Sequence, residues 1–251
     1  MSLFHAVAIF LAGIVAGTIN TVVGSGTLFT FPVLLGFGYA PVVANVSNTV
    51  GLVPGSASGA FGYRRELAGQ GRRLIPLATA SLLGGVAGAA LLLSLPASAF
   101  KAIVPVFIAI ALVLIVAQPR LSQLLARRHP RGKGRAGPVA TLGVFASGVY
   151  GGYFGAAQGI LLLAILSLSL DDDLQRINAV KVVLAGLVNL VSGIVFVLVT
   201  HIAWAPAGLI AAGSVLGGVI GARTGRRLPP QALRGVIVVV GIVAIVHLLV
   251  A

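Results

Sequence analysis

The sequence predicts an all-α integral membrane protein built of two inverted repeats, each of about five hydrophobic segments. Of 251 residues, 58% are hydrophobic and only 8% charged, with a mean hydropathy of +1.10, whereas a soluble domain carries about 25% charged residues to cover its surface. The apolar residues fall into ten stretches, the second five repeating the first at a fixed shift. Basic residues gather in a few connections, and the bias changes sides between equivalent connections of the two halves.

In chain order the apolar segments run roughly from 3 to 23, 26 to 39, 42 to 62, 74 to 95 and 101 to 118, then from 138 to 156, 158 to 170, 178 to 200, 206 to 222 and 232 to 250. The first starts without a basic leader before its apolar run and reads as a retained span, not a cleaved signal peptide. A hydrocarbon core of about 30 Å needs roughly 20 helical residues, so the segments at 26 to 39 and 158 to 170 are short. Each follows a glycine-containing break, Gly24-Ser25-Gly26 and Gly155-Ala156-Ala157-Gln158-Gly159. They are expected as half-helices or re-entrant pieces. Gln118 to Gly137 carries Arg120, Arg127, Arg128, Arg131, Lys133 and Arg135, which sets a basic linker at 119–137 between a first repeat, 1–118, and a second, 138–251. Lysine and arginine concentrate on the cytoplasmic side of membrane proteins, so this linker is expected inside, in a multi-pass protein of the inner (plasma) membrane.

Sliding the chain by 133 positions lays Ser81 to Pro96 on Ser214 to Pro229 with nine of sixteen residues identical. The same shift lays Asn45 on Asn178, Gly26 on Gly159 and Lys101 on Arg234. Charge orients the repeats. Tyr63 to Arg73 holds Arg64, Arg65, Arg72 and Arg73, and its counterpart, Phe196 to Pro206, holds no Lys or Arg. At the next connection, 94 to 101 carries only Lys101, while 223 to 234 carries Arg223, Arg226, Arg227 and Arg234. Equivalent loops on opposite sides require inverted repeats with an odd number of crossings each. Cytoplasmic loops are therefore expected at 63–73, 119–137 and 223–231, with both termini outside.

Composition also excludes functions. A net charge of +13 suggests nucleic acid in a soluble protein, but apart from Tyr63 at the edge of the first these basic connections lack aromatic residues for base stacking, so no nucleic-acid partner is expected. With no cysteine, disulfides, thiol chemistry and cysteine-held clusters are out. The four acids lie in or beside loops, which speaks against a carboxylate cage for a cation within the membrane. Asp171-Asp172-Asp173 reads as a solvated loop and helix cap. His5, His129, His201 and His247 show no ligand spacing, and Trp204 suits an interfacial anchor. No Ser-His-Asp set, P-loop or pair of catalytic carboxylates can be assembled, so neither an enzyme nor a cofactor is expected.

Inverted repeats bring broken helices face to face, where freed amides and helix N-termini hold anions. The candidate site therefore comprises the breaks and the polar residues inside spans: Asn20, Gly24, Ser25, Gly26, Thr27, Asn45, Ser47, Asn48, Gln158, Gly159, Asn178 and Lys181. Asn45 with Asn48, and Asn178 with Lys181, are i to i+3 pairs sharing a helix face. The bland alternatives stay open: glycines let helices approach, as expected at Gly13-x-x-x-Gly17, Gly84-x-x-x-Gly88 and Gly217-x-x-x-Gly221, the asparagines bridge helices, and Lys181 snorkels toward Asp173. The expected partners are a small anionic substrate and the lipid bilayer, with protons as a candidate coupling ion.

Ile19-Asn20-Thr21-Val22-Val23-Gly24-Ser25-Gly26, Phe31-Pro32-Val33-Leu34 and Ala44-Asn45-Val46-Ser47-Asn48-Thr49-Val50 resemble the first-repeat signature of the TauE/SafE sulfite-exporter family. Gly151-Gly152-Tyr153-Phe154-Gly155, Arg176-Ile177-Asn178-Ala179-Val180-Lys181 and Gly213-Ser214-Val215-Leu216-Gly217-Gly218 are similar to its second. The resemblance implies a secondary transporter that exports a small sulfur-containing anion, sulfite or an organosulfonate, by alternating access. A membrane receptor or scaffold that does not transport, and a passive anion channel, are the alternatives.

Overall fold

The computed structural model describes residues 1–126, 137–170, 172–224 and the positions 235, 238, 239, 242, 243, 245 and 246. Among them there is no strand. The first half holds α1 (Leu3–Val22), α2 (Thr27–Gly36), α3 (Pro41–Gly62), the single turn α4 (Arg64–Leu67), α5 (Gly71–Ser94) and α6 (Ala97–Ala126). The second holds α7 (Pro138–Tyr153), α8 (Gln158–Ser169), α9 (Leu174–Val199) and α10 (Trp204–Thr224). The segment expected at 232 to 250, most of the loop at 223–231, and His129 and His247 lie outside the described residues.

Local chemistry sets the ends. The Ser2 hydroxyl accepts the His5 N–H at 3.2 Å to open α1, and the Asp173 carboxylate accepts the Gln175 N–H at 2.9 Å to open α9. Pro41 and Pro138 start α3 and α7, where the missing N–H costs nothing. α6 runs on through Arg120 to Ala126, into the stretch read as the start of the linker.

Helices α1, α5, α9 and α10 and the first 21 residues of α6 are long and apolar enough to cross a membrane. α3 matches them in length with 22 residues but buries Asn45, Ser47, Asn48, Thr49 and Ser56. α2 and α8, at 10 and 12 residues, rise only about 15 to 18 Å, half of the hydrocarbon core. Both fold back. The Phe37 ring, just past α2, stacks on His5 at 4.3 Å, returning the chain to the level where α1 began. A Cβ on Gly151 would meet the Gln158 side chain, and one on Gly143 would meet Ile165, so α8 runs antiparallel along α7.

Interhelical seams are made of small residues. A Cβ added to Gly17 would lie 2.4 Å from the Ser214 carbonyl oxygen, and one on Gly217 2.1 Å from that of Ile14, so α1 and α10 touch backbone to backbone. α5 and α7 meet the same way, with Gly84 on Phe145 and Gly88 on Val149. Large side chains are found on both sides: Phe31, Phe100, Phe154 and Leu77 fill the interior, while Leu3, Leu142 and Leu198 are exposed. Small residues at the seams let helices approach closely where lipid is as apolar as their own side chains.

At one end, Arg73 and Arg176 both bond the Asp172 carboxylate, the latter at 3.0 Å, and Gln70 Nε2 donates to the Arg176 carbonyl at 3.2 Å. The arginine-bearing 63–73 connection and the start of α9 thus share one end of the bundle. Burial pushes the Asp172 carboxyl up, but hydrogen bonds from Arg73 and Arg176 outweigh it and hold it below its ordinary value.

Candidate functional site

Each hairpin turns at its break, and the two turns use the same backbone device. After α1, the N–H groups of Val23 and Gly24 both point to the Ile19 carbonyl, at 2.7 and 2.9 Å. After α7, those of Phe154 and Gly155 both point to the Tyr150 carbonyl, at 3.0 and 3.1 Å. Gly24 and Gly155 have φ of +88° and +77°, the left-handed region that glycine enters without a Cβ penalty. This corrects the sequence alignment locally. The shift of 133 pairs Gly26 with Gly159, but the matching turns pair Gly24 with Gly155, a shift of 131, because α8 is longer than α2.

The turns cross at Gly24 and Gly159. The Gly159 N–H donates to the Gly24 carbonyl at 2.9 Å, and a Cβ on either glycine would fall 2.4 Å from the Cα of the other. Gly159 was expected to offer its amide to an anion; here that amide joins the two breaks. Beside the contact, Ser25 Oγ and Gln158 Nε2 are buried without a hydrogen-bond partner. Ala157, next to Gln158, is itself left-handed at φ +59°, a conformation that costs a non-glycine residue roughly 1 to 2 kcal/mol.

Side chains from α3 and α9 reach across the repeats to the ends of the broken helices. Asn45 Nδ2 donates to the Tyr153 carbonyl at 3.0 Å, and Asn178 Nδ2 to the Thr21 carbonyl at 3.4 Å. Lys181, 0% exposed, sends Nζ to the carbonyls of Thr21 at 3.3 Å and Asn20 at 3.5 Å. It reaches neither Asp172 nor Asp173, which sets aside the snorkelling alternative. Last-turn carbonyls lack intrahelical donors and form the negative end of the helix dipole, so an ammonium there is well placed.

The remaining polar residues divide. Asn48 Nδ2 donates to Thr27 Oγ1 at 3.1 Å while its Oδ1 accepts from Thr30, fastening α3 to the first turn of α2. Asn20 Nδ2 reaches Ser56 Oγ at 3.3 Å, so its side chain bridges α1 and α3. Gly26 lies against Ala16 and Asn20, where no larger residue fits. Ser47 leaves the group: its hydroxyl accepts the Ala203 N–H at 2.9 Å and so caps the start of α10.

Two residues escaped the sequence reading. Tyr150 donates its hydroxyl to the Ala156 carbonyl, closing the second break, and Tyr153 OH is buried without a partner. Their spacing of three in the run Gly148-Val149-Tyr150-Gly151-Gly152-Tyr153 was the available signal. Among the described residues no group of His, Cys, Asp or Glu could hold a metal ion.

Nearly the whole chain is similar to known membrane proteins. The family model described as "Sulfite exporter TauE/SafE" matches residues 9–248. "Probable membrane transporter protein YfcA" of Escherichia coli K12 is 26% identical over 243 residues, covering 96% of this chain and 88% of the relative. "Probable membrane transporter protein ORF9" of a Sinorhizobium species is 27% identical over 249 residues, 98% of this chain and 93% of the relative. A "Probable membrane transporter protein" of Haemophilus influenzae is 28% identical over 219 residues, 86% and 83% of the two chains. No solved structure matches.

Proposed function

The chain belongs to the sulfite exporter TauE/SafE family, a family of membrane transporters and not of enzymes, and from that premise we propose that it is a secondary transporter exporting a small sulfur-containing anion, sulfite or an organosulfonate, across the inner membrane. The observation that carries the reading is the crossing of the two broken hairpins, where Ser25 Oγ and Gln158 Nε2 are buried without partners. An unpartnered buried polar atom costs about 1 to 3 kcal/mol. A chain that keeps two beside one backbone contact gains if a ligand satisfies both.

The anion sits at this crossing, held by the unpartnered Ser25 Oγ and Gln158 Nε2, with Lys181 on the neighbouring end of α1. Substrate reaches it alternately from the two sides as two inverted repeats rearrange about the contact, and a proton gradient drives the cycle. The long-range pattern supports this symmetry, since each helix that precedes a break receives, near its end, the amide of an asparagine from the other half of the chain, Tyr153 from Asn45 and Thr21 from Asn178.

Proteoliposomes carrying the purified chain test the reading. Saturable efflux of labelled sulfite, sulfoacetate or thiosulfate that responds to a proton gradient is expected; absence of flux for all three would favour a receptor or scaffold, and flux without saturation a pore. Topology is checked separately, because the chain has no native cysteine. Exposed positions 68 and 201, changed one at a time as Ala68→Cys and His201→Cys, should label from opposite sides, with Ala68→Cys cytoplasmic. Labelling from the same side would end the inverted arrangement.

A further inference from the structure

Broken helices in transporters commonly present two kinds of seat: N-terminal amides that take an anion, and C-terminal carbonyls that take a coupling cation. In this chain the second kind is already filled from within. The carbonyls of Asn20 and Thr21 belong to the last turn of α1, where the turn at Gly24 removes their helical donors. Three donor contacts converge on them: Lys181 Nζ on both and Asn178 Nδ2 on Thr21. Lys181 is fully buried, and it takes no part in the ion pairs that Asp172 makes with Arg73 and Arg176. A buried lysine with no carboxylate either sheds its proton or is compensated by oxygen dipoles, and here two main-chain oxygens at a negative helix end stand 3.3 and 3.5 Å from Nζ.

Comparison with the other repeat isolates the feature. The matching end of α7 receives a neutral amide from Asn45, and the residue matching Lys181, Asn48, bonds Thr27 and Thr30 instead. A lysine is therefore not needed to end a broken helix in this fold. We propose that the Lys181 ammonium is a tethered cation occupying an alkali-cation seat at the carboxyl end of α1, so that the protein neither binds nor requires a free sodium ion there. The geometry stands without any substrate; only the corollary, that anion transport is independent of sodium, rests on the transporter reading.

The test is thermal unfolding in lipid nanodiscs, in sodium chloride, n-butylammonium chloride and N-methylglucamine chloride at equal ionic strength, with no anionic substrate added. Wild-type protein should melt at the same temperature in all three. Lys181→Ala, which opens both the seat and the channel of the lysine stem, should melt several degrees lower in N-methylglucamine and recover at least half of that loss in sodium or n-butylammonium. Lys181→Met, which fills the stem but supplies no charge, should be lowered and should not recover. A sodium-specific shift in the wild type would overturn the proposal by showing a free cation site. So would a Lys181→Ala protein indifferent to the cation, or one that stays aggregated in every salt, since the seat must accept a free ion. Failure here leaves anion flux untouched, and failure of flux leaves the melting series untouched.

Discussion

The first and second breaks share a backbone and differ in their side chains. Both turn on a left-handed glycine with two amides converging on one carbonyl, and both are reached by an asparagine from the opposite repeat. Around the first lie Lys181 and Asn20. Around the second lie Tyr150 and Tyr153, beside a cavity of about 290 Å³ walled by Leu91, Leu95, Ile103 and Phe107. The backbone turn is what both hairpins need for their tips to cross. Charge is placed once, since two buried ammoniums near one crossing would repel without water to screen them, whereas one can face one anion. The two breaks thus differ in what lines them: Lys181 beside the first, Tyr150 and Tyr153 beside the second.

The strongest way to break this comparison is to give the breaks a side chain. Gly24→Ala places a Cβ 2.4 Å from the Gly159 backbone, while Gly155→Ala meets nothing closer than 3.0 Å. Both bear the left-handed penalty of 1 to 2 kcal/mol, and overpacking adds roughly 1 to 3 kcal/mol, to Gly24 above all. Gly24→Ala should therefore lose about 3 kcal/mol and most flux, and Gly155→Ala about half as much. Equal melting midpoints would show that the breaks do not cross as described.

Lys181→Met tests the charge. Loss of a charge-assisted interaction of about 1.5 kcal/mol should weaken anion binding roughly tenfold, whereas Asn45→Ala, which removes a neutral bond at the second break, should change it less than threefold. Unchanged affinity in a folded Lys181→Met protein would take the charge out of the site. Gln158→Met has a diagnostic sign. Replacing a buried amide whose Nε2 has no partner should leave stability unchanged or raise it by up to about 1 kcal/mol while lowering flux; a fall in both would mean that Gln158 is structural.

The smallest effect lies away from both breaks. Asp172 has a depressed folded-state pKa, so its contribution to stability is present above the unfolded carboxylate value of about 4 and is lost as pH falls through the folded one. Melting of the wild type against pH should show this loss below about pH 4, and Asp172→Asn should flatten it. A steeper loss between pH 6 and 8 would point to a different group.

Much of the fold was legible because in a membrane chain segment length, glycine and charge are direct consequences of the bilayer. The two short segments were marked by their length, and the glycine pairs by their spacing. Pairing of the breaks was harder: α2 and α8 differ by two residues, so an ungapped shift that fits α3 on α9 misplaces the turns before them. The site was legible by residue type and not by partner. Lys181 stood out as a lysine inside a span, yet its acceptors are main-chain carbonyls, which no sequence pattern marks. Ser47 looked like its neighbours Asn45 and Asn48, but a helix turn of about 100° per residue points it at the start of α10 instead. Tyr150 and Tyr153 were passed over because aromatic residues in glycine-rich helices are ordinary packing until a hydroxyl is seen to close a turn.

The glycine seams tie helices of the two sequence halves together. α1 of the first repeat is laid against α10 of the second, and α7 of the second against α5 of the first, with added carbons at Gly17 and Gly88 falling 2.4 and 2.1 Å from facing oxygens. Prising the two sequence halves apart as blocks would shear both seams at once. Any motion that kept these seams intact would carry α1 together with α10, and α7 together with α5, each pair drawn from both halves of the sequence, like two hands each wearing the other's glove.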